Sequence, residues 1–152
     1  MATTPIESAT GMFLAVLLAL HPSPTSGWAR APREVTVTAN DYAFMPLPAI
    51  EAGPTIFGFV NQGTVSHEVA IARLKAATTL AEFVKSTPGP TRAALIERSV
   101  GILIAGPGKS PDGKLLVDLI RGATYVVLCN LRDNPGAPQH MTLGMYTSFT
   151  PK

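Results

Sequence analysis

Tyr125–Met145 reads YVVLCNLRDNPGAPQHMTLGM, and the rest of the chain is best read outward from this stretch. Thr124–Cys129 (TYVVLC) is rich in β-branched and aromatic residues and predicts a strand that ends on the thiol. Asn130–Gln139 contains Pro135, Gly136 and Pro138, so it must be a loop. It returns the chain to His140, and Met145 follows after four intervening residues, within a last predicted strand, Leu143–Thr150. A thiol, an imidazole and a thioether therefore lie within 17 residues, around one strand–loop–strand unit.

The segments upstream supply more strands. Arg33–Thr38 (REVTVT) alternates polar and β-branched residues, with Val35 and Val37 directed inward. Thr55–Val60 (TIFGFV) is closed by the turn signal Asn61-Gln62-Gly63. Ser66–Leu74 (SHEVAIARL) places His67, Val69 and Ile71 on one face. Residues 76–98 then change character. Thr79-Leu80-Ala81-Glu82 is a capping box followed by apolar residues at helical spacing. Ser86-Thr87-Pro88-Gly89-Pro90 breaks that helix, and Arg92–Arg98 is predicted as a second short one. Gly101–Ala105 and Lys114–Ile120 resume the strands between Gly/Pro turns. Six or seven short strands with such punctuation predict an all-β Greek-key β-sandwich, with one short helical insertion around 76–98.

Composition narrows the function. The chain has 152 residues, 46% hydrophobic and 14% charged, which suits one domain with a real core and excludes disorder. Its formal charge of +2, with no Lys/Arg cluster, does not predict a nucleic-acid partner. A single cysteine excludes an intrachain disulfide and any centre built from several thiolates. Gly11–Leu20 (GMFLAVLLAL) is too short to span a bilayer but fits the core of an export signal. Gly27 and Ala29 suit cleavage after Ala29; Ala29-Arg30-Ala31 is a rival, but Pro32 would then follow the cut. Residues 1–29 are therefore read as a signal peptide and 30–152 as the mature domain, exported to the periplasm or secreted. The mature chain has no transmembrane segment. It keeps His67, His140, Cys129, Met45, Met141 and Met145 as its whole stock of soft or imidazole ligands.

One thiolate, two imidazoles and a weak thioether form a donor set that suits both Cu(I) and Cu(II). By strand alternation His67 lies with Val69 and Ile71, and Cys129 with Tyr125 and Val127, so both project into the interior near one end. Met141 should face away from the metal, as packing or surface, and Met45, in a Pro-rich turn, is given no role.

The chain resembles the cupredoxins, the small blue-copper fold of plastocyanin and azurin, from roughly Arg33 onward. The resemblance is carried by Phe59-Val60-Asn61-Gln62-Gly63 leading to His67, by Gly122-Ala123-Thr124-Tyr125 ahead of Cys129, and by His140 and Met145. It implies one type 1 copper held by His67, Cys129 and His140, with Met145 axial and the Ser66 carbonyl as a distant opposite contact. It also implies a monomeric one-electron carrier between redox partner proteins that turns over no substrate. His140, in a loop, is the expected electron gateway. Two features depart from the family. Ten residues separate Cys129 from His140, more than in the small carriers and nearer the copper nitrite reductases. Glu68 stands where the family often has Asn, which bears on the hydrogen bonding between the ligand strands.

Other readings use the same residues. Cys129 activated by a histidine would make a Cys–His hydrolase, although no thiol-protease signature surrounds it. Zinc accepts a His2Cys set but gains nothing from a thioether. A metal-free interaction module, or a copper carrier that delivers its ion, also fits the sequence.

Overall fold

The computed structural model describes Met1 and residues 30–152, so the predicted signal peptide lies outside the described residues. Eight strands are present: β1 (Arg33–Asn40), β2 (Ala43–Phe44), β3 (Gly53–Asn61), β4 (His67–Leu74), β5 (Ile96–Ala105), β6 (Leu115–Leu119), β7 (Tyr125–Leu128) and β8 (Tyr146–Phe149). They form two four-stranded sheets, ordered β2-β1-β3-β6 and β5-β4-β7-β8. The pair β1/β3 is parallel and every other pair is antiparallel. The predicted all-β sandwich is the observed architecture.

The alternating valines of β1 and phenylalanines of β3 face the inner residues of β4 and β7. Val35, Val37, Phe57, Phe59, Val69, Ile71, Tyr125 and Val127 are all buried in one cluster, which also contains Cys129 and Met145. Tyr125 stacks on Phe149 at 5.2 Å, and its hydroxyl oxygen accepts the Ile120 N–H at 3.1 Å, fixing the β6–β7 turn. This interior is apolar and buried, and it sets where the ends of β4 and β7 lie.

β4 and β7 are buried on both faces. A second apolar cluster of Ala72, Leu74, Phe83, Val126, Leu128 and Met141 covers the outer side of this sheet. Its lid is α1 (Leu80–Lys85), and the predicted capping box is formed: Thr79 Oγ1 accepts the Glu82 N–H, and Glu82 accepts the Thr79 N–H. The next helix, α2 (Pro90–Ala93), is shorter and earlier than the predicted Arg92–Arg98. Proline at its first turn starts it early, and from Ile96 the backbone pairs with β4 at Leu74, so the ladder replaces further helix. The predicted insertion around 76–98 therefore ends before Ile96. Arg92 of α2 knits this layer together. Its guanidinium donates to the Ser86 and Val84 carbonyls, lies 5.7 Å from the Phe83 ring centroid and reaches Met141 Sδ at 3.3 Å.

Two more boundaries differ from the sequence reading. A two-residue tip, Asp41-Tyr42, joins β1 to the short strand β2, which the sequence did not announce. The last strand begins at Tyr146, because His140–Leu143 forms a 3-10 turn ended by Gly144 at φ 106°. Among the described residues no helix is long and apolar enough to cross a membrane.

Phe83 is 1% exposed and anchors the outer layer to β7. Phe83→Ala is expected to cost about 3 kcal/mol or more, read as a lower urea midpoint with an unchanged slope.

Candidate metal centre

The site lies where β4 begins and β7 ends, at the same end of the sandwich. β4 supplies His67 as its first residue, and Cys129 follows directly on β7. The 3-10 turn supplies His140, and Met145 immediately precedes β8. Backbone bonds fix the set: the Cys129 N–H donates to the Met145 carbonyl, the Met141 N–H to the Cys129 carbonyl, and the His140 N–H to the Leu131 carbonyl. The Cβ direction of each ligand is thus determined by the fold.

His67 Nδ1 lies 3.1 Å from His140 Nδ1, and Cys129 Sγ lies 3.3 Å from His140 Nδ1. These three residues form a cluster whose ligand atoms all lie within 4.8 Å of one another. His67 and Cys129 are 0% exposed and His140 is 1% exposed. Met145 is fully buried in the same apolar cluster as Cys129. The sequence-predicted quartet therefore gathers at one end of the core, while Met45 is exposed, with its Sδ 3.4 Å from Asn40 Nδ2. Met141 faces the other way, into the outer apolar layer, as expected.

Each imidazole is held from behind by a carboxylate. His67 Nε2 meets Asp41 Oδ1 at 3.3 Å, and His140 Nε2 meets Asp133 Oδ1 at 3.0 Å. The pKa of Asp41 is lowered to about 2 by hydrogen bonds from the Thr64 hydroxyl and N–H. The Tyr42 hydroxyl, donating to Asp133 Oδ2 at 2.6 Å, also holds Asp133 below the usual carboxylate range. An ionised carboxylate only accepts, so each Nε2 carries the proton. With Nε2 turned to a carboxylate, each Nδ1 is directed into the cluster. Burial pushes the His67 pKa down, which favours its neutral form. Two Nδ1 atoms at 3.1 Å need a proton or a metal cation between them, and the donor set around that point is two imidazoles and a sulfur.

The sulfur is prepared in the same way. The Glu68 N–H donates to Cys129 Sγ at 3.3 Å, and the Leu131 N–H points to it as well. Burial nevertheless pushes the Cys129 thiol up, the opposite of what an activated nucleophile requires.

No family model matches the sequence, and no curated protein matches it. Solved structures do match. Auracyanin B superposes with a TM-score of 0.53 at 19% identity, covering 79% of this chain and 88% of that one. A dithionite-reduced auracyanin from the photosynthetic bacterium Roseiflexus castenholzii gives 0.52 at 18% identity, over 80% of this chain and 98% of its own. Auracyanin A, a "blue" copper protein from Chloroflexus aurantiacus, gives 0.51 at 17%, over 80% and 99%. The fold is cupredoxin-like.

Within that cupredoxin-like frame, Glu68 does tie the two ligand strands together. Its Oε1 accepts both the Asn130 N–H at 2.7 Å and the Asn130 Nδ2–H at 3.0 Å, directly beside Cys129. The expected exposed edge of His140 is absent. Tyr42 lies across that ring at 5.0 Å, nearly perpendicular, and Asp133 covers Nε2, so neither imidazole reaches water. Asp41, Tyr42 and Asp133 were not singled out by the sequence reading. Asp41 and Tyr42 form a hairpin tip that no motif marks, and Asp133 sits within the unusually long loop.

The loop before His67 is pinned by Asn61, which is fully buried and donates to the Val65, Ala105 and Gly106 carbonyls while accepting the Gly63 N–H. A Cβ at Gly63 would lie 2.2 Å from Asp41 Oδ1 and 3.0 Å from His67 Nε2. Gly63→Ala is expected to separate Asp41 from His67 and destabilise the fold by about 1–3 kcal/mol. Chemical denaturation and the His67 imidazole NMR signals check this.

Proposed function

We propose that this chain is an exported type 1 (blue) copper protein that carries one electron at a time between partner proteins. His67, Cys129 and His140 would be the strong ligands and Met145 the weak axial one, around a single copper ion. The observation that carries the reading is the convergence of two Nδ1 atoms and a sulfur in a buried cluster. When bound, copper supplies reversible one-electron chemistry between Cu(I) and Cu(II). The chain's own part is to keep the ligands still. β4, β7 and the 3-10 turn hold them through backbone bonds, Glu68 locks the ligand strands, and the apolar core keeps water from the cluster. Ligands so fixed suit an ion of changing charge, since the protein need not rearrange.

The same burial favours electron transfer over metal delivery. A carrier that hands on its ion needs ligands a partner can reach, and these are 0–1% exposed. The likeness to auracyanins, one of them described as a blue copper protein, agrees with this reading. Export rests on the signal-like residues 1–29, which places the working protein in the periplasm or outside the cell. A single soluble copy with redox partners is the simplest assembly.

Adding Cu(II) to the purified protein should produce an intense sulfur-to-copper band near ~600 nm. A colourless protein that takes up no Cu(II) would overturn the reading in favour of a metal-free interaction module. Cys129→Ser should abolish the band, and replacing either His67 or His140 should do the same, because the mature chain holds no spare imidazole. Met145→Leu should keep the band and raise the reduction potential, measured by redox titration.

A further inference from the structure

Tyr42 does more than fill the tip of the β1–β2 hairpin. Its φ is 59°, in the left-handed region, where a bulky side chain is a steric outlier and glycine or asparagine would be at ease. Nothing in the hairpin itself calls for an aromatic residue there. The ring instead reaches away from its own hairpin. It lies 5.0 Å from the His140 ring and 6.1 Å from the His67 ring, edge to face with each. Its hydroxyl donates at 2.6 Å to Asp133, 91 residues away, on the same carboxylate that receives His140 Nε2–H. The neighbouring residue Asp41 anchors the tip to Thr64 and to His67. Tyr42 itself is half-buried, with its inner side on the imidazoles and the remainder facing solvent.

We propose that Tyr42, latched to Asp133, is the residue that controls access to the His67–Cys129–His140 cluster: small solutes and metal ions reach the ligands only when this ring swings off the imidazoles. Backbone strain at a non-glycine residue persists where surrounding contacts over-determine it, and here those contacts are the two imidazoles and the Asp133 latch. The ring itself is held by its two edge-to-face contacts and one hydrogen bond, so it can swing away locally without unfolding the sandwich. The purpose of the cap rests on the metal-centre reading, but its operation can be tested in the metal-free protein.

The readout is the rate at which iodoacetamide alkylates Cys129, the only thiol, in metal-free protein at fixed pH. Tyr42→Gly removes the ring and relieves the positive φ, so the variant should fold. It is expected to raise the alkylation rate about tenfold or more with an unchanged or higher unfolding midpoint. Tyr42→Phe keeps the ring but loses the Asp133 latch and should fall between the two. Leu119→Ala, in the buried core, serves as a control that lowers global stability and should leave the rate near wild type. An unchanged rate in Tyr42→Gly would overturn the proposal. So would an acceleration that Leu119→Ala reproduces, because the thiol would then be reached by global unfolding. A protein that takes up no Cu(II) yet shows the Tyr42→Gly acceleration would overturn the metal-centre reading while supporting the cap.

Discussion

Two imidazole Nδ1 atoms facing each other across 3.1 Å, with a sulfur 3.3 Å from one of them, need a proton or a metal cation between them in a protein interior. Neither ring can turn away. His67 begins a strand paired on its far side to β5, and the His140 backbone is bonded to Leu131 and Met145. The core of the domain is packed around the same strands and holds both rings in place. A cavity of neutral apolar residues would not need such restraint; a centre that must present a fixed donor set does.

The two carboxylates explain how the donor atoms are chosen. A histidine in water exchanges between tautomers, and only one of them presents Nδ1 inward as a free acceptor. Asp41 and Asp133, each bonded to Nε2, favour that tautomer in both rings. This gives the ten-residue loop between Cys129 and His140 a structural purpose. A loop of two to four residues could not run out past the imidazole and bring a carboxylate back over it. Residues 130–139 do this, and the carboxylate they return also receives the Tyr42 hydroxyl.

What could be read from the sequence follows from the range of the interactions involved. Strands with period-2 alternation and the Thr79–Glu82 capping box are local, and both are present where the residues predict them. The His67–Cys129–His140 cluster was legible because each residue type is scarce: residues 30–152 hold one thiol and two imidazoles, and each lies beside a turn or strand end. The carboxylates were not legible, since ten acidic residues are indistinguishable until the fold selects two of them. Tyr42 was hidden for the same reason, its partner lying 91 residues away. The start of β5 was misjudged because Arg92–Arg98 has acceptable helical composition, and only pairing with β4 decides against it. The exposure assigned to His140 failed because a loop position says nothing about what folds back over it.

β4 shows why the helical insertion belongs to the site and is not an ornament on the sandwich. Its sequence, HEVAIARL, is too apolar for a strand with one wet face, and both faces are in fact covered. The inner face carries His67, while the outer face carries Glu68, whose two bonds to Asn130 hold the ligand strands together. Hydrogen bonds of a carboxylate are strengthened where water is kept away, and Glu68 is 5% exposed. The outer layer that shields this sheet is built from Phe83, Ala72, Leu74, Val126, Leu128 and Met141. Met141 follows His140 directly, and Arg92 reaches its sulfur. Residues 80–93 thus press on the back of the turn that supplies a ligand, while the core presses on its front. The turn that carries His140 lies between two apolar layers, with Met141 packed into the outer one and Met145 into the core.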